Sequence, residues 1–347
     1  MPAEDRREGG VGSPLRRRAA RGRTIALTGV NTFLGRNLVN LLEEDDAVGR
    51  VVILDVKNRA IPSKKSVFYE IDLTQPAVES RVAEILHAEQ VDTLAHLALV
   101  ANPTQATAWA HELESVGTMH VLAACRKHRL RKLVVPSSTL VYGPHPTNPN
   151  FITENHPLRG LRGSHFVDDK IDVESQVRSF AAESNQCVVT VLRLSPLLGP
   201  TVDNYVARWL SRRLVPTVMG HDPLVQFLHE VDALAALKLA LERDVPGAFN
   251  IVGEGVLPIS TVVRLAGRLA VPIPYPIFHR LAALFWVAQL SEAPPSFVAG
   301  LRYLCVADGA RARHVLGFRP VYSSRDAVLD FEGALRLREA RLLHEVT

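Results

Sequence analysis

Cysteine is scarce in this 347-residue chain: Cys125, Cys187 and Cys305 are odd in number and far apart. That usage excludes a disulfide framework and a zinc knuckle, and it implies buried thiols in a reducing compartment, the cytoplasm. Long hydrophobic runs are missing too. A membrane-spanning helix needs ~18 to 20 apolar residues, and the nearest approach, VPIPYPIFHRLAALFWVAQL, is interrupted by prolines, His279 and Arg280. The 13 histidines are scattered, and the chain has no metal-ligand spacing, Walker loop or G-x-S-x-G elbow. Metal chemistry, phosphoryl transfer and serine hydrolysis are therefore disfavoured. Positive charge is also confined. In residues 1–23, Arg6, Arg7, Arg16, Arg17, Arg18, Arg21 and Arg23 exceed Glu4, Asp5 and Glu8 by four, which equals the net charge of +4 of the whole chain. The body is formally neutral and has no footprint for a nucleic-acid partner, and the tail reads as a solvated extension.

What remains is a chain of 47% apolar and 22% charged residues, long enough to bury a substantial core. From residue 24, short β-branched runs alternate with amphipathic stretches, the pattern of a doubly wound α/β fold with a parallel sheet covered on both faces. TIALT, VVILD, SVFYE, DTLAHLA, KLVVPSS and VVTVLRL read as strands, with helices at LGRNLVNLLEE, near 107–128 and at 166–184. After residue 200 the pattern becomes irregular and proline-rich. Residues 24–200 are thus expected to form a Rossmann-type domain joined by 226–252 (VDALAALKLALE and AFNIV), while 201–225 and 253–347 form a smaller, discontinuous substrate lobe.

The first strand runs into TGVNTFLGRNL. A strand, a glycine turn and a helix N-terminus form an anion site, because free N–H groups and the helix dipole point at a bound pyrophosphate. Twenty residues past Gly35, Asp55 closes VVILD, where a carboxylate can accept hydrogen bonds from a ribose and would repel a 2′-phosphate. NAD is favoured over NADP on that ground, softened by Lys57 and Arg59.

These motifs resemble the extended short-chain dehydrogenase/reductases of the NAD-dependent epimerase/dehydratase type. The likeness continues through Asp72-Leu73, HLA at 96–98, Gly117-Thr118, SSTLVYGP at 137–144, Lys170 with Glu174, VLRLSPLLGP at 191–200 and LGFRPVYSSRDAV. It spans roughly residues 24 to 335. It implies cofactor contacts at Gly29, Asn31, Thr32, Phe33, Leu34, Gly35, Asp55, Asp72, Leu73, Leu97, Ala98, Lys170 and Pro196, a nucleotide-sugar substrate class, and a homodimer through the helices at 107–128 and 166–184. The family loop reads TGxxGxxG, and Thr32 occupies its middle glycine. A β-branched side chain there either clashes with the pyrophosphate or donates its hydroxyl to a phosphate oxygen.

The resemblance also implies catalysis by a serine, a tyrosine and a lysine four residues after the tyrosine. Ser138 and Lys170 match, but Phe166 stands at the tyrosine position. A phenyl ring carries no exchangeable proton, and loss of a general acid/base costs ~10²- to 10⁴-fold. A further departure is Glu114, where the family commonly has asparagine. Three readings stay open: replacement of the phenol by His165, Asp168 or Asp169; a dinucleotide-binding sensor or scaffold without turnover; or a nucleotide-free structural relative. Taken locally, Asp168 and Asp169 read as a solvated helix face, and Lys170 as an i,i+4 partner of Glu174. In the lobe, IPYPIFHRLAALFWVAQL reads as a greasy pocket wall or a peripheral membrane contact, which would suit an oxidoreductase acting on a hydrophobic alcohol. Arg208, Arg212, Arg213 and Arg302 are candidates for holding a diphosphate.

Overall fold

The computed structural model describes residues 22–57 and 64–345. The tail, except its last two residues, and Arg59 lie outside the described residues. Within them, the β-branched runs become parallel strands because both of their faces are covered by helices. The strands are β1 (Arg23–Thr28), β2 (Val48–Asp55), β3 (Ser66–Glu70), β4 (Thr93–His96), β5 (Lys132–Ser138), β6 (Val188–Leu194) and β7 (Gly247–Ile251). They form one seven-stranded sheet in the order β7-β6-β5-β4-β1-β2-β3, parallel throughout. The order reverses between β1 and β4, and the crevice beyond the carboxyl ends at such a switch point is where open α/β sheets bind ligands.

The helices are α1 (Phe33–Glu43), α2 (Val78–Ala88), α3 (Thr107–His111), α4 (Gly117–His128), α5 (His165–Glu183), α6 (Tyr205–Leu210), α7 (Glu230–Glu242), α8 (Ile259–Leu265), α9 (Tyr275–Val287) and α10 (Ser324–Glu345). Leu38 and Leu42 of α1 join Ala236, Leu237 and Ala240 of α7 in the core on one face of the sheet. Val82 of α2, Val121 of α4, and Val173 and Val177 of α5 fill the other. The stretch near 107–128, expected as one helix, is divided by a π-helical turn at Glu112–Val116. Such turns recur at functional sites, and this one contains the buried Glu114 and Ser115.

The lobe has its own core, in which Leu210, Val215, Val262 and Val328 meet. A parallel pair, Leu214–Val218 with Leu269–Ile273, leads into α9. Helix α9 buries none of its residues fully. Among the described residues no helix is long and apolar enough to cross a membrane.

Candidate functional site

The β1–α1 loop closes on itself. Gly29 has φ of +70°, and a Cβ there would lie 2.3 Å from Leu97 and Ala98 backbone atoms. At Gly35 a Cβ would lie 2.2 Å from the Gly29 carbonyl oxygen. Both glycines are therefore demanded by backbone packing. Thr32 needs no such freedom, since its φ of −74° and ψ of 163° suit any residue. It is the N-cap of α1: its hydroxyl accepts from the Gly35 N–H at 3.1 Å and donates to the Gly29 carbonyl at 2.7 Å. The hydroxyl proton is thus engaged inside the loop. Four N–H groups at a helix start lack intrahelical partners. The Thr32 group goes to the Gly29 carbonyl and the Gly35 group to the Thr32 hydroxyl, which leaves those of Phe33 and Leu34 for an anion.

Asp55, at the carboxyl end of β2, accepts from the Asn31 side chain at 2.7 Å and backbone at 3.2 Å, and from the Val56 N–H at 2.7 Å. Asn31 thereby ties the glycine loop to the carboxylate. Under the loop, the Thr28 hydroxyl accepts from the Leu97 and Ala98 N–H groups and therefore donates to His96 Nδ1 at 2.8 Å. His96 Nε2 then donates to the Thr118 hydroxyl at 3.0 Å. Complete burial pushes the His96 pKa down to about 4. Asp72 caps its own turn by accepting from Thr74 and Gln75, and Leu73 is buried against Gly117. The loop, the ribose-side carboxylate and the free N–H pair fit a dinucleotide.

A cavity of about 170 Å³ lies beyond the strand ends. It brings together Thr32, Phe33, Leu34, Leu97, Ser138, Phe166, Lys170 and Pro196 from distant parts of the chain. Gly29, Asn31, Gly35, Asp55, Asp72, Leu73 and Ala98 are not in its wall. Among the wall residues that reading the sequence did not name as site residues, three bear on the chemistry. Ser195 is buried, with a hydroxyl that has no partner among the described residues; the Val100 carbonyl accepts from Lys170; and Tyr205 enters from α6. Ser195 stands in VLRLSPLLGP beside Pro196 and could have been named from that motif; Val100 and Tyr205 carry no sequence signal, because they arrive through tertiary packing.

The charge at the reaction centre is arranged unlike the local expectation. Lys170 Nζ does not pair with Glu174. It donates to Glu114 Oε1 at 2.9 Å and to the Val100 carbonyl at 2.9 Å, and it sits 4.3 Å from the centre of the Phe166 ring. Glu174 instead receives a two-pronged contact from Arg193 and a bond from Ser137. Burial pushes the Glu114 pKa up, against the pull of Lys170. Glu114 Oε1 also accepts from the Val100 N–H, while Oε2 has no described partner. Asp169 is not solvated: it is buried and bonded to His111 at 2.7 Å. His165 and Asp168 are exposed and line neither this cavity nor the lobe cavity that adjoins it. The Ser138 hydroxyl accepts from the Leu140 N–H at 3.2 Å and lines the cavity.

Two of the four lobe arginines are committed, and Arg212 and Arg213 have no partner among the described residues. Arg208 forms ion pairs with Asp203 and Glu292. Arg302 stacks over Tyr275 and Tyr303, at 4.7 and 4.8 Å from their ring centres.

The model of the NAD dependent epimerase/dehydratase family matches residues 25–252. An uncharacterized protein of Mycobacterium tuberculosis (strain ATCC 25618 / H37Rv) is 32% identical over 319 residues, covering 89% of this chain and 83% of its own. The 3-diazoavenalumate denitrifying reductase of a Streptomyces species is 25% identical, covering 86% of this chain and 97% of its own. Among solved structures, the UDP-glucose 4-epimerase of Thermotoga maritima with UDP-glucose superposes with a TM-score of 0.69 at 19% identity, covering 91% of this chain and 99% of its own. The chain belongs to the NAD-dependent epimerase/dehydratase family, whose cofactor is NAD.

Proposed function

From family membership and the geometry of the reaction centre, we propose that the chain binds NAD over the β1 and β4 strand ends but does not perform phenol-mediated proton exchange. It acts as a dinucleotide-dependent binding protein descended from nucleotide-sugar enzymes. The observation that carries this reading is Lys170, whose ammonium is held by Glu114 and Val100 and faces the Phe166 ring. With an ion pair on one side and a phenyl ring on the other, the lysine has no phenol at position 166 to acidify, and burial raises the pKa of the Tyr205 phenol that lines the same cavity. The Phe33 and Leu34 N–H groups would meet the pyrophosphate and Asp55 a ribose. Bound NAD would supply a hydride acceptor. Ser138 and Ser195 would orient a ligand's oxygen, and neither has an adjacent base to take a proton from it.

Homodimerisation through α3, α4 and α5 is part of this proposal, supported by Trp109 and Met119, which are 53% and 51% exposed. So are a cytoplasmic location, consistent with three free cysteines, and peripheral contact with a lipid surface through α9.

The test is a fluorescence titration of the purified chain with NADH and NADPH. Saturable NADH binding with weaker NADPH binding is expected, because Asp55 repels a 2′-phosphate; failure to bind NADH overturns the reading. Incubation with NAD and a panel of UDP-sugars should leave nicotinamide absorbance unchanged, and turnover would refute the altered centre.

A further inference from the structure

The lobe encloses a second cavity, of about 220 Å³. Leu140, Pro196, Tyr205 and Val206 line both this cavity and the reaction centre, so the two adjoin. Phe227, Val262, Phe278, Phe297 and Leu301 make much of its wall.

Several of the polar groups in that wall are spent on protein partners, while the Tyr205 and Tyr303 hydroxyls have none among the described residues. Arg208 gives two nitrogens to Asp203, at 2.6 and 2.8 Å, and a third to Glu292 at 2.8 Å. One cation held by two carboxylates leaves a local excess of negative charge. The Trp209 indole N–H donates to the Pro216 carbonyl at 3.2 Å. Gln226 donates to the Gly253 carbonyl and accepts from the Ala307 N–H, and the Ser291 hydroxyl donates to the Ala293 carbonyl. A diphosphate needs several charge-assisted donors. Of the cations in this wall, Arg212 alone has no partner among the described residues. An apolar chain needs no donors, and the wall supplies what it does need.

Helix α9 adds a second observation. Phe278 and Ala282, one turn apart, line the cavity. On the side turned to solvent, Ile277, Leu284 and Val287 are 53%, 61% and 77% exposed. A helix apolar on both sides normally lies inside a protein core or a membrane. Here one side already faces the cavity. Arg280 stands exposed among the outward apolar residues, and its charge would be attracted to an anionic lipid surface.

We propose that this cavity holds the apolar chain of a lipid, taken from an anionic bilayer surface on which the outer side of α9 rests. The proposal goes beyond the dinucleotide reading: it needs the lobe to take a small molecule, with or without a dinucleotide in the adjoining cavity.

The probe is 11-(dansylamino)undecanoic acid, titrated into the full chain. Saturable emission is expected, displaced by dodecanol and not by UDP-glucose. Ala282→Trp, which fills the cavity from α9, should weaken the probe by roughly tenfold or more while leaving NADH affinity unchanged. Displacement by UDP-glucose, or an unchanged probe affinity in Ala282→Trp, overturns the apolar ligand. The chain should also sediment with phosphatidylglycerol vesicles. Leu281→Asp/Leu284→Asp should abolish that sedimentation while retaining the dissolved probe; sedimentation unaffected by the pair removes the bilayer as the source. Probe binding without NADH binding would sink the dinucleotide reading and leave the lipid cavity standing.

Discussion

In the β1–α1 loop, Thr32 replaces a glycine and the surrounding backbone absorbs it. The hydroxyl caps α1 and bonds to Gly29, and two helix N–H groups stay free. In the reaction centre, Phe166 replaces a tyrosine and the surroundings reinforce the change. Glu114, delivered by the π turn, takes the lysine ammonium that would otherwise serve the phenol. One departure is local and self-correcting, because a hydroxyl can fill hydrogen bonds that a glycine leaves open. The other is coupled across three elements, because a buried ammonium must find a carboxylate. The contrast separates two parts of the fold: the glycine loop keeps free N–H groups at the start of α1, while at position 166 the family's phenol is replaced by a phenyl ring and Lys170 is paired with Glu114.

The largest effect should come from restoring both reaction-centre positions at once. Phe166→Tyr alone should give a phenol with pKa near or above the usual ~10, because Lys170 remains bonded to Glu114. Adding Glu114→Asn frees the ammonium, and a cation at that range lowers a phenol by about 1 to 3 units. Ultraviolet titration of the phenolate reads this directly. Equal pKa values in the single and double variants would show that Glu114 does not hold the lysine in check.

Beneath the loop, His96 should make the binding half acid-sensitive. Its folded pKa, lowered by burial to about 4 from the ordinary 6.5 of a histidine, means that below 6.5 the unfolded chain takes a proton that the folded chain refuses. Stability is therefore lost as pH falls from 6.5 toward 4, by on the order of 3 kcal/mol in total. Denaturant unfolding at pH 7 and pH 5 should show about 2 kcal/mol of that loss, and His96→Asn should remove it.

Gly35→Ala should cost about 1 to 3 kcal/mol, since the new methyl meets the Gly29 carbonyl. Thermal unfolding and NADH affinity should both fall. An unchanged NADH affinity would show that the loop is not where the dinucleotide sits.

The smallest effect is expected for Thr32→Gly. Losing the cap should cost α1 about 1 kcal/mol or less, and NADH affinity should move by no more than roughly threefold, because the Phe33 and Leu34 N–H groups are free either way. A large gain in affinity would mean that Thr32 obstructs the site after all, and the two departures would then be alike.

Much of this protein was legible as sequence. The runs SVFYE, KLVVPSS and VVTVLRL coincide with β3, β5 and β6, because parallel strands covered on both faces must be apolar along their length. The glycine loop, Asp55 at a strand end and the absent phenol were equally visible, since each depends on residue type at a fixed local spacing. Side-chain partnership was not. Lys170 and Glu174 stand one turn apart on α5, yet the first reaches the π turn and the second reaches Arg193 on β6. Asp169 lies on the same helix and is buried against His111 rather than solvated. The lobe cavity was less legible still, because its wall gathers residues from 139 to 305. Sequence alone determined the doubly wound sheet and the phenylalanine at the tyrosine position, for these are matters of local pattern and composition. Tertiary structure decided which carboxylate neutralises the lysine and what surrounds the ligand, because a buried charge pairs with whatever group packing brings within about 3 Å, however distant in the chain.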